Sequence, residues 1–134
     1  MQEKYLFEYA VIRIVPRVER EEFLNIGVIL FCKKQQFLQT RFIIDQERLH
    51  VFANYLDMAE LNSNLCAFER ICMGHKEAGP IAQLEPVLRF RWLTASRSTI
   101  VQTSKTHPGL CTDANETLNR LFEQLVLPPT AAQQ

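Results

Sequence analysis

The residues with the strongest chemical bias lie in the segment Arg89–Gly109, which reads RFRWLTASRSTIVQTSKTHPG. Planar guanidinium groups and short hydroxyl donors, which alternate along this segment, bind phosphate and carboxylate well. If Arg97, Ser98 and Thr99 form a turn, their backbone N–H groups, hydroxyls and guanidinium could converge on one anion. The alternative is that Arg97 pairs with a carboxylate of the connector Arg17–Glu22 and joins the two segments. We therefore predict a binding surface for an anion or a partner here.

A second group of polar residues lies in the connector and directly after it. Arg20 and Glu21 belong to the connector, and Asn25 follows in an apolar segment, where its amide needs a hydrogen-bond partner. A ligand could be that partner, with Glu21 or Glu22 as a nearby carboxylate and Gly27 allowing close approach. The structural alternative is that Arg20 pairs with a carboxylate, Asn25 fixes the loop and Gly27 marks a β-bulge.

His107, in the sequence THPG before the last predicted helix, is the third candidate. Acid–base catalysis by His107 would need a carboxylate or nucleophile within reach, and Glu21 and Glu22 are the residues on which a small hydrolase or nuclease could be built. The alternative is a local hydrogen bond within the loop. The 3 histidines and 4 cysteines show no metal-binding spacing, and no phosphate-binding or nucleophile motif occurs. We predict no metal and no cofactor, and we assign no catalytic residue.

Composition predicts a cytoplasmic globular protein. The chain has 134 residues, 47% of them hydrophobic, which is enough for one domain with its own core. Lys+Arg 15 balances Asp+Glu 15, which disfavours a general nucleic-acid binder and leaves only a local basic surface for that role. The N-terminus does not resemble a secretory signal, and the longest apolar run, Ile26–Cys32, is too short to span a bilayer. Unpaired cysteines are typical of a reducing compartment.

Hydrophobic patterns predict the elements that position these residues. Three strands come first, Tyr5–Val15, Phe23–Cys32 and Phe37–Ile44, with KKQQ as the hairpin turn between the second and third. The second strand is apolar almost throughout, as in strands that are covered on both faces. Apolar residues at helical spacing follow Asp45 and Asp57, which are the expected N-caps.

The rest of the chain adds a short helix, a strand and a final helix. Pro86 begins the short helix, Ile100–Thr103 forms a fourth strand, Thr106–Cys111 is predicted irregular, and Asp113 caps the final helix. This order predicts an α+β fold with an antiparallel sheet of about four strands and helices packed on one face. We expect a single domain over residues 1–127. Residues 128–134 are expected to form a flexible tail.

Two sequence blocks together resemble a known bacterial family. The first, VIRIVPRVEREEFLNIGVILF, contains the pattern P-x-x-x-R-x-E-F-x-N-x-G-V, and the second, RFRWLTASRST, contains R-F-x-W-L-x-x-x-R-S-T. With THPGL before the last helix, they make the chain similar, from Tyr5 to about Val126, to the domain of unknown function 3037 family. Genes of that family often neighbour those of HipA-like serine/threonine kinases. The resemblance therefore implies an intracellular partner or regulator of such a kinase.

The leading hypothesis is a non-enzymatic accessory or regulatory module that recognises a protein partner. Arg97, Ser98 and Thr99 would make the contact, assisted by Arg20 and Glu21. A module that binds a phosphate ligand or nucleic acid through the same Arg/Ser/Thr cluster is the alternative, and a small hydrolase or nuclease is the third hypothesis. Trp92 is predicted to lie in the core, although an aromatic residue beside arginines could also anchor an interface.

Overall fold

A computed structural model describes residues 3–97 and 99–129 of the chain. The strands in this part are β1 (Tyr5–Ile14), β2 (Leu24–Cys32), β3 (Phe37–Phe42), β4 (Val101–Thr103) and β5 (His107–Cys111). The α-helices are α1 (Gln46–Phe52), α2 (Met58–Cys72), α3 (Pro86–Leu93) and α4 (Ala114–Leu125). Short 3₁₀ turns occur at Val18–Arg20 and Ile81–Gln83. None of the helices in the described ranges is long and apolar enough to cross a membrane.

The strands form one antiparallel sheet in the order β3-β2-β1, with β4 and β5 both paired to β1. Val101 lies opposite Ile14, and His107 lies opposite Tyr9, so β4 and β5 occupy successive parts of the same edge. The sheet therefore has five strands instead of about four. The strand β5 was predicted to be irregular because it contains Pro108 and Gly109, residues that are depleted in strand interiors. An edge position tolerates both.

Helices cover both faces of the sheet, which corrects the prediction that they lie on one face. Alternate residues of β2 point to opposite sides, as in any strand. Ile29 and Phe31 pack into a core with α1, α2 and α3, whereas Val28, Leu30 and Cys32 pack into a second core with α4. Both faces of β2 are therefore buried, which explains why its sequence is apolar almost throughout. The α+β class is confirmed.

The three predicted helix N-caps are confirmed. The side chains of Asp45, Asp57 and Asp113 are N-caps, and each accepts a hydrogen bond from a backbone N–H of the first helical turn. The Asp113 carboxylate, for example, lies 3.0 Å from the Glu116 nitrogen. Each cap satisfies a backbone donor that has no partner within the helix.

The two sequence blocks that carry the family resemblance meet in space. The Val15 N–H donates to the carbonyl of Ile100 at 2.8 Å. Ser104 donates its N–H to the Val11 carbonyl, and its hydroxyl oxygen accepts from the Val11 N–H, each over 2.8 Å. The strand β1 is therefore fixed to the segment that follows the second block. This contact positions Arg97 and Thr99 at one end of the sheet.

Replacing Gly27 by alanine is expected to lower the free energy of unfolding by about 3 kcal/mol. The register of β1 and β2 shifts between Ile12 and Arg13, which confirms a β-bulge beside Gly27. An added Cβ at Gly27 would lie 2.6 Å from the Arg41 carbonyl oxygen and 2.6 Å from the Cβ of Phe42. A side chain can rotate away from such a clash, but a backbone carbonyl cannot. Urea denaturation of the purified variant measures the loss.

Gly79→Ala is the matched control for this prediction. Gly79 has a φ of +95° and no atom within 4 Å of an added Cβ, so alanine there meets only backbone strain. That strain costs about 1 kcal/mol. A loss at Gly27 no larger than the loss at Gly79 would contradict the steric argument.

Candidate functional site

Arg97 lies just after α3 and folds back onto the end of that helix. Its guanidinium carbon is 3.6 Å from the centroid of the Trp92 ring, and its Nη2 donates a hydrogen bond to the Trp92 carbonyl. That carbonyl lies in the last turn of α3 and also accepts from the Ala95 N–H at 3.4 Å, so Arg97 adds a side-chain bond to the C-terminal cap of α3. Burial lowers the pKa of Arg97. Among the residues described, the ion pairs do not include Arg97, so the alternative of pairing with the connector is wrong.

Trp92 is partly exposed, which corrects its predicted core position. Its side chain is 38% exposed and stands beside a small cleft of about 270 Å³ between α2, α3 and β4. Arg97 and Thr99 line the same cleft, together with Asn64 and Ala67 of α2. The Thr99 hydroxyl donates to the Val101 carbonyl at 2.6 Å, which leaves its oxygen as an acceptor. Ser98, the third residue of the predicted cluster, lies outside the described residues.

Exposed apolar residues extend the surface beyond Trp92. Leu88 lies one helical turn before Trp92 on α3, and Leu84 lies in extended backbone just before the helix; their exposed fractions are 44%, 38% and 37% for Leu88, Trp92 and Leu84. We call these three residues together with Arg97 the α3 surface. Arg91, on the adjoining side of the helix, pairs with Glu8 at 3.1 Å. The α3 surface thus combines apolar side chains with a single guanidinium that carries no counter-charge in the described chain.

The connector residues lie in a separate place from the α3 surface. Arg20 ends a 3₁₀ turn between β1 and β2, and its Nε is hydrogen-bonded to the carboxylate of Glu22. This bond to Glu22 raises the pKa of Arg20. Glu21 follows with a φ of 55°, in the left-handed region. The structural alternative for Arg20, a pair with a nearby carboxylate, is confirmed.

Asn25 joins β2 to the end of α4. Its Nδ2 donates to the Leu125 carbonyl at 3.2 Å, a contact with α4 and not within the connector, whereas its buried Oδ1 has no hydrogen-bond partner among the described residues. Arg13 lies opposite Asn25 in the sheet, with its guanidinium carbon 3.8 Å from the centroid of the Phe23 ring. Burial lowers the pKa of Arg13. Arg13 is not among the predicted site residues, although a charged residue inside the apolar strand YAVIRIV was the signal for it.

His107 was predicted to lie in a loop, but it is the first residue of β5. Its ring centroid is 5.2 Å from that of Tyr9 on β1. The remainder of β1, from Tyr9 to Ile14, spans about 17 Å before the turn that carries Glu21. The structure therefore separates the two parts of the hydrolase hypothesis. Within residues 3–97 and 99–129, no group of three His, Cys, Asp or Glu residues could hold a metal ion.

A larger cleft, of about 620 Å³, opens beside α1. It is lined by residues of α1 and of the loop that leads to α2, among them Leu49, Val51 and Met58. None of the predicted site residues contributes to it. Its volume exceeds that of the cleft beside Trp92, but the charged and aromatic groups that favour specific recognition meet at Trp92.

Only one of the four thiols is expected to react in the native protein. Cys32, Cys72 and Cys111 are buried free thiols, whereas Cys66 on α2 is exposed. Burial raises the pKa of Cys72 to about 12 and also raises the pKa of Cys111, and a protonated thiol is a poor nucleophile. Ellman's reagent at pH 8 should therefore modify one thiol in the folded chain and all four in urea.

A Cys66→Ser variant should show no fast reaction, and fast reaction in that variant would contradict the assignment.

The raised pKa of Cys72 also makes the stability of the protein depend on pH. The unfolded chain loses the Cys72 proton near its ordinary value of 9.0, whereas the folded chain keeps it to about 12. The contribution of this burial to stability is complete below pH 9, and it is lost as the pH rises toward 12.

One protein family matches the chain. The family described as "Protein of unknown function (DUF3037)" matches residues 9–126, a range that includes both sequence blocks and the whole α3 surface. This match confirms the resemblance drawn from the two blocks. No curated protein and no solved structure matches the chain.

Proposed function

We propose that this chain, which belongs to the DUF3037 family, is a non-enzymatic accessory or regulatory module that binds a protein partner through the α3 surface. The observation that carries this proposal is the exposed indole of Trp92, covered on one face by Arg97 and continued by exposed leucines. Tryptophan and arginine are among the residue types that most often dominate the energy of protein–protein binding.

The α3 surface is preorganised for such a contact. Stacking and the hydrogen bond to the Trp92 carbonyl hold Arg97 in place before any partner arrives. Two long side chains therefore lose little freedom on binding, and the entropy loss that opposes association is reduced. The cleft beside Trp92 can take up an apolar side chain. The guanidinium of Arg97 suits a carboxylate next to it.

The phosphate or nucleic-acid alternative receives less support from the geometry. A phosphate seat needs several converging donors, but Arg20 lies in a separate place from Arg97 and is already paired with Glu22. The chain also has a formal net charge of zero, so no general attraction to nucleic acid assists a weak site. A protein partner is therefore the ligand class that the α3 surface fits best.

The family resemblance makes a HipA-like serine/threonine kinase the first partner to test. The partner should present an apolar side chain with a carboxylate beside it, because these groups complement Trp92 and Arg97. Three buried free thiols suit a reducing compartment, so we place the interaction in the cytoplasm.

Affinity purification from native lysate, with and without nuclease, tests the proposal. Tagged wild type and Arg97→Glu are compared with Arg20→Glu, which reverses an exposed charge outside the α3 surface. We expect a stoichiometric protein partner that survives nuclease, is lost with Arg97→Glu and is retained with Arg20→Glu. Equal recovery by Arg97→Glu would exclude the α3 surface. Recovery that disappears with nuclease would favour the nucleic-acid alternative, and recovery of nothing would remove the proposal.

A further inference from the structure

We infer that the outer edge of β3 is a second binding site, separate from the α3 surface, which takes an extended peptide segment of a partner as an additional strand. The segment would direct a basic side chain and an apolar side chain, two residues apart, toward α2. This inference depends on the pairing of β3, on the cleft between β3 and α2, and on the side chains of that cleft. It does not rest on the proposed function.

The register of the hairpin decides which backbone groups of β3 point outward. The Ile43 N–H donates to the Ile26 carbonyl at 2.9 Å, which identifies Ile26 and Ile43 as a hydrogen-bonded pair of the ladder. Bonded and non-bonded pairs alternate along an antiparallel ladder, which makes Arg41 and Gln39 the next bonded residues. The N–H and C=O groups of Leu38 and Thr40 therefore point away from β2. In the described part of the chain they have no other backbone partner.

The strand β3 lacks the features that normally protect a sheet edge. Such edges carry proline, lysine, bulges or inward-pointing charges. The sequence of β3, FLQTRF, has no proline, and its ladder with β2 runs without a bulge. Its one charge, Arg41, lies over the Phe122 ring at 4.3 Å, on the α4 side of the sheet. The opposite edge differs, because it is interrupted between β4 and β5 and contains Pro108.

The helix α2 runs beside β3 and leaves a cleft of about 340 Å³ between them. Leu38 and Thr40 line the strand side of the cleft, and Glu69 and Met73 line the helix side. A groove between an edge strand and a helix suits β-strand addition, in which backbone bonds give affinity and alternate side chains give specificity. The outward backbone groups of Leu38 and Thr40 open directly onto this groove.

The side chains of α2 determine which peptide fits. Glu69 takes part in no ion pair among the residues described, and Met73 is 68% exposed. These residues are one helical turn apart, about 5–6 Å between Cβ atoms. Alternate residues of a strand are about 6.7 Å apart. A segment with arginine or lysine, any residue, and then a leucine-like residue would therefore reach both, and the flexible thioether of Met73 adapts to different apolar partners.

A second copy of this chain is a poorer occupant of the same edge. On the α2 side, β3 presents Leu38, Thr40 and Phe42, none of which is basic. Antiparallel pairing of two β3 edges about an axis normal to the sheet would thus leave Glu69 without a counter-charge. The charge of Glu69 favours a segment from a different protein.

Hydrogen exchange of single amides, measured by NMR on the full chain, tests the inference. The probes are the capped heptapeptide Thr-Thr-Arg-Thr-Leu-Thr-Thr and the reversed order Thr-Thr-Leu-Thr-Arg-Thr-Thr, since the strand can add in either direction. We expect saturating peptide of at least one order to slow exchange at Leu38 and Thr40 tenfold or more. Exchange at Gln39 and Arg41, which already donate to β2, should not change. The same peptides with glutamate in place of arginine should have no effect.

Variants at two positions distinguish the contribution of the backbone edge of β3 from that of the cleft side chains. Thr40→Pro removes an outward N–H, which an edge strand tolerates, and should abolish binding, while Thr40→Val should preserve it. Glu69→Lys leaves the strand intact and should transfer the preference to the glutamate peptide. The inference is overturned if neither arginine peptide slows Leu38 and Thr40, or if Glu69→Lys leaves the preference unchanged. Slow exchange that depends on protein concentration alone would assign the edge to a second copy and would also overturn it.

Discussion

Replacing Trp92 by alanine is expected to weaken binding of the proposed protein partner by about 30-fold, which corresponds to about 2 kcal/mol. The indole supplies the largest exposed apolar face of the α3 surface, and its ring also packs against the guanidinium of Arg97. Alanine removes the face and releases Arg97, so two contacts are lost by one change. Isothermal titration calorimetry with the purified partner measures the effect.

A control variant distinguishes loss of this surface from loss of any exposed apolar residue. Leu110 on β5 is 63% exposed and lies outside the α3 surface, so Leu110→Ala should bind with unchanged affinity. Trp92→Phe, which keeps an aromatic face under Arg97, should recover part of the affinity. If Trp92→Ala and Leu110→Ala bind equally well, Trp92 does not contact the partner.

The coupling of Trp92 and Arg97 gives a second control. Since the two side chains act as one unit, the double variant Trp92→Ala/Arg97→Ala should lose less affinity than the sum of the single losses. Additive losses would mean that Arg97 reaches the partner without help from the indole. The thermal midpoint of each variant must be measured as well, because Arg97 also caps α3.

The elements that were predicted correctly depend on local chemistry. Aspartate N-caps at Asp45, Asp57 and Asp113 act within one helical turn, and the KKQQ hairpin joins neighbouring strands, so the sequence contains all that is needed. The strand β5 depends on β1, which lies about a hundred residues earlier. Its proline and glycine oppose a strand locally, and only the pairing with β1 and the ring of Phe7 over Gly109 stabilise it.

The candidate site could be predicted only where its residues are close together in the sequence. Arg97 and Thr99 are near neighbours in sequence, and the structure places both at one cleft. Arg20, Asn25 and His107 come from other segments, and no pattern of residue types gives the distances between segments. The exposure of Trp92 was also beyond local reasoning, because it depends on how α3 lies against α2. The free edge of β3 likewise depends on the order of strands in the sheet.

Replacing Phe90 by alanine is expected to have the largest effect on stability, a loss of about 3–5 kcal/mol in the free energy of unfolding. Phe90 is completely buried, and its ring stacks on Phe31 of β2 at a centroid distance of 5.5 Å. It belongs to the second sequence block and Phe31 to the first, so this pair connects α3 to the sheet. Native domains are stable by only about 5–15 kcal/mol, and the variant should therefore unfold at much lower urea concentration.

A double-mutant cycle tests whether the two rings cooperate. Phe31→Ala is expected to be less harmful than Phe90→Ala because Phe31 is only partly buried, and the coupling energy of the pair should be about 0.5–1.5 kcal/mol. Phe90→Leu, which fills more of the space, should lose less than Phe90→Ala. A loss below about 1 kcal/mol for Phe90→Ala would mean that α3 is held in another way. If the pair does hold α3, variants that weaken it must also weaken partner binding, because Trp92 and Arg97 keep their positions only while α3 is packed on the sheet.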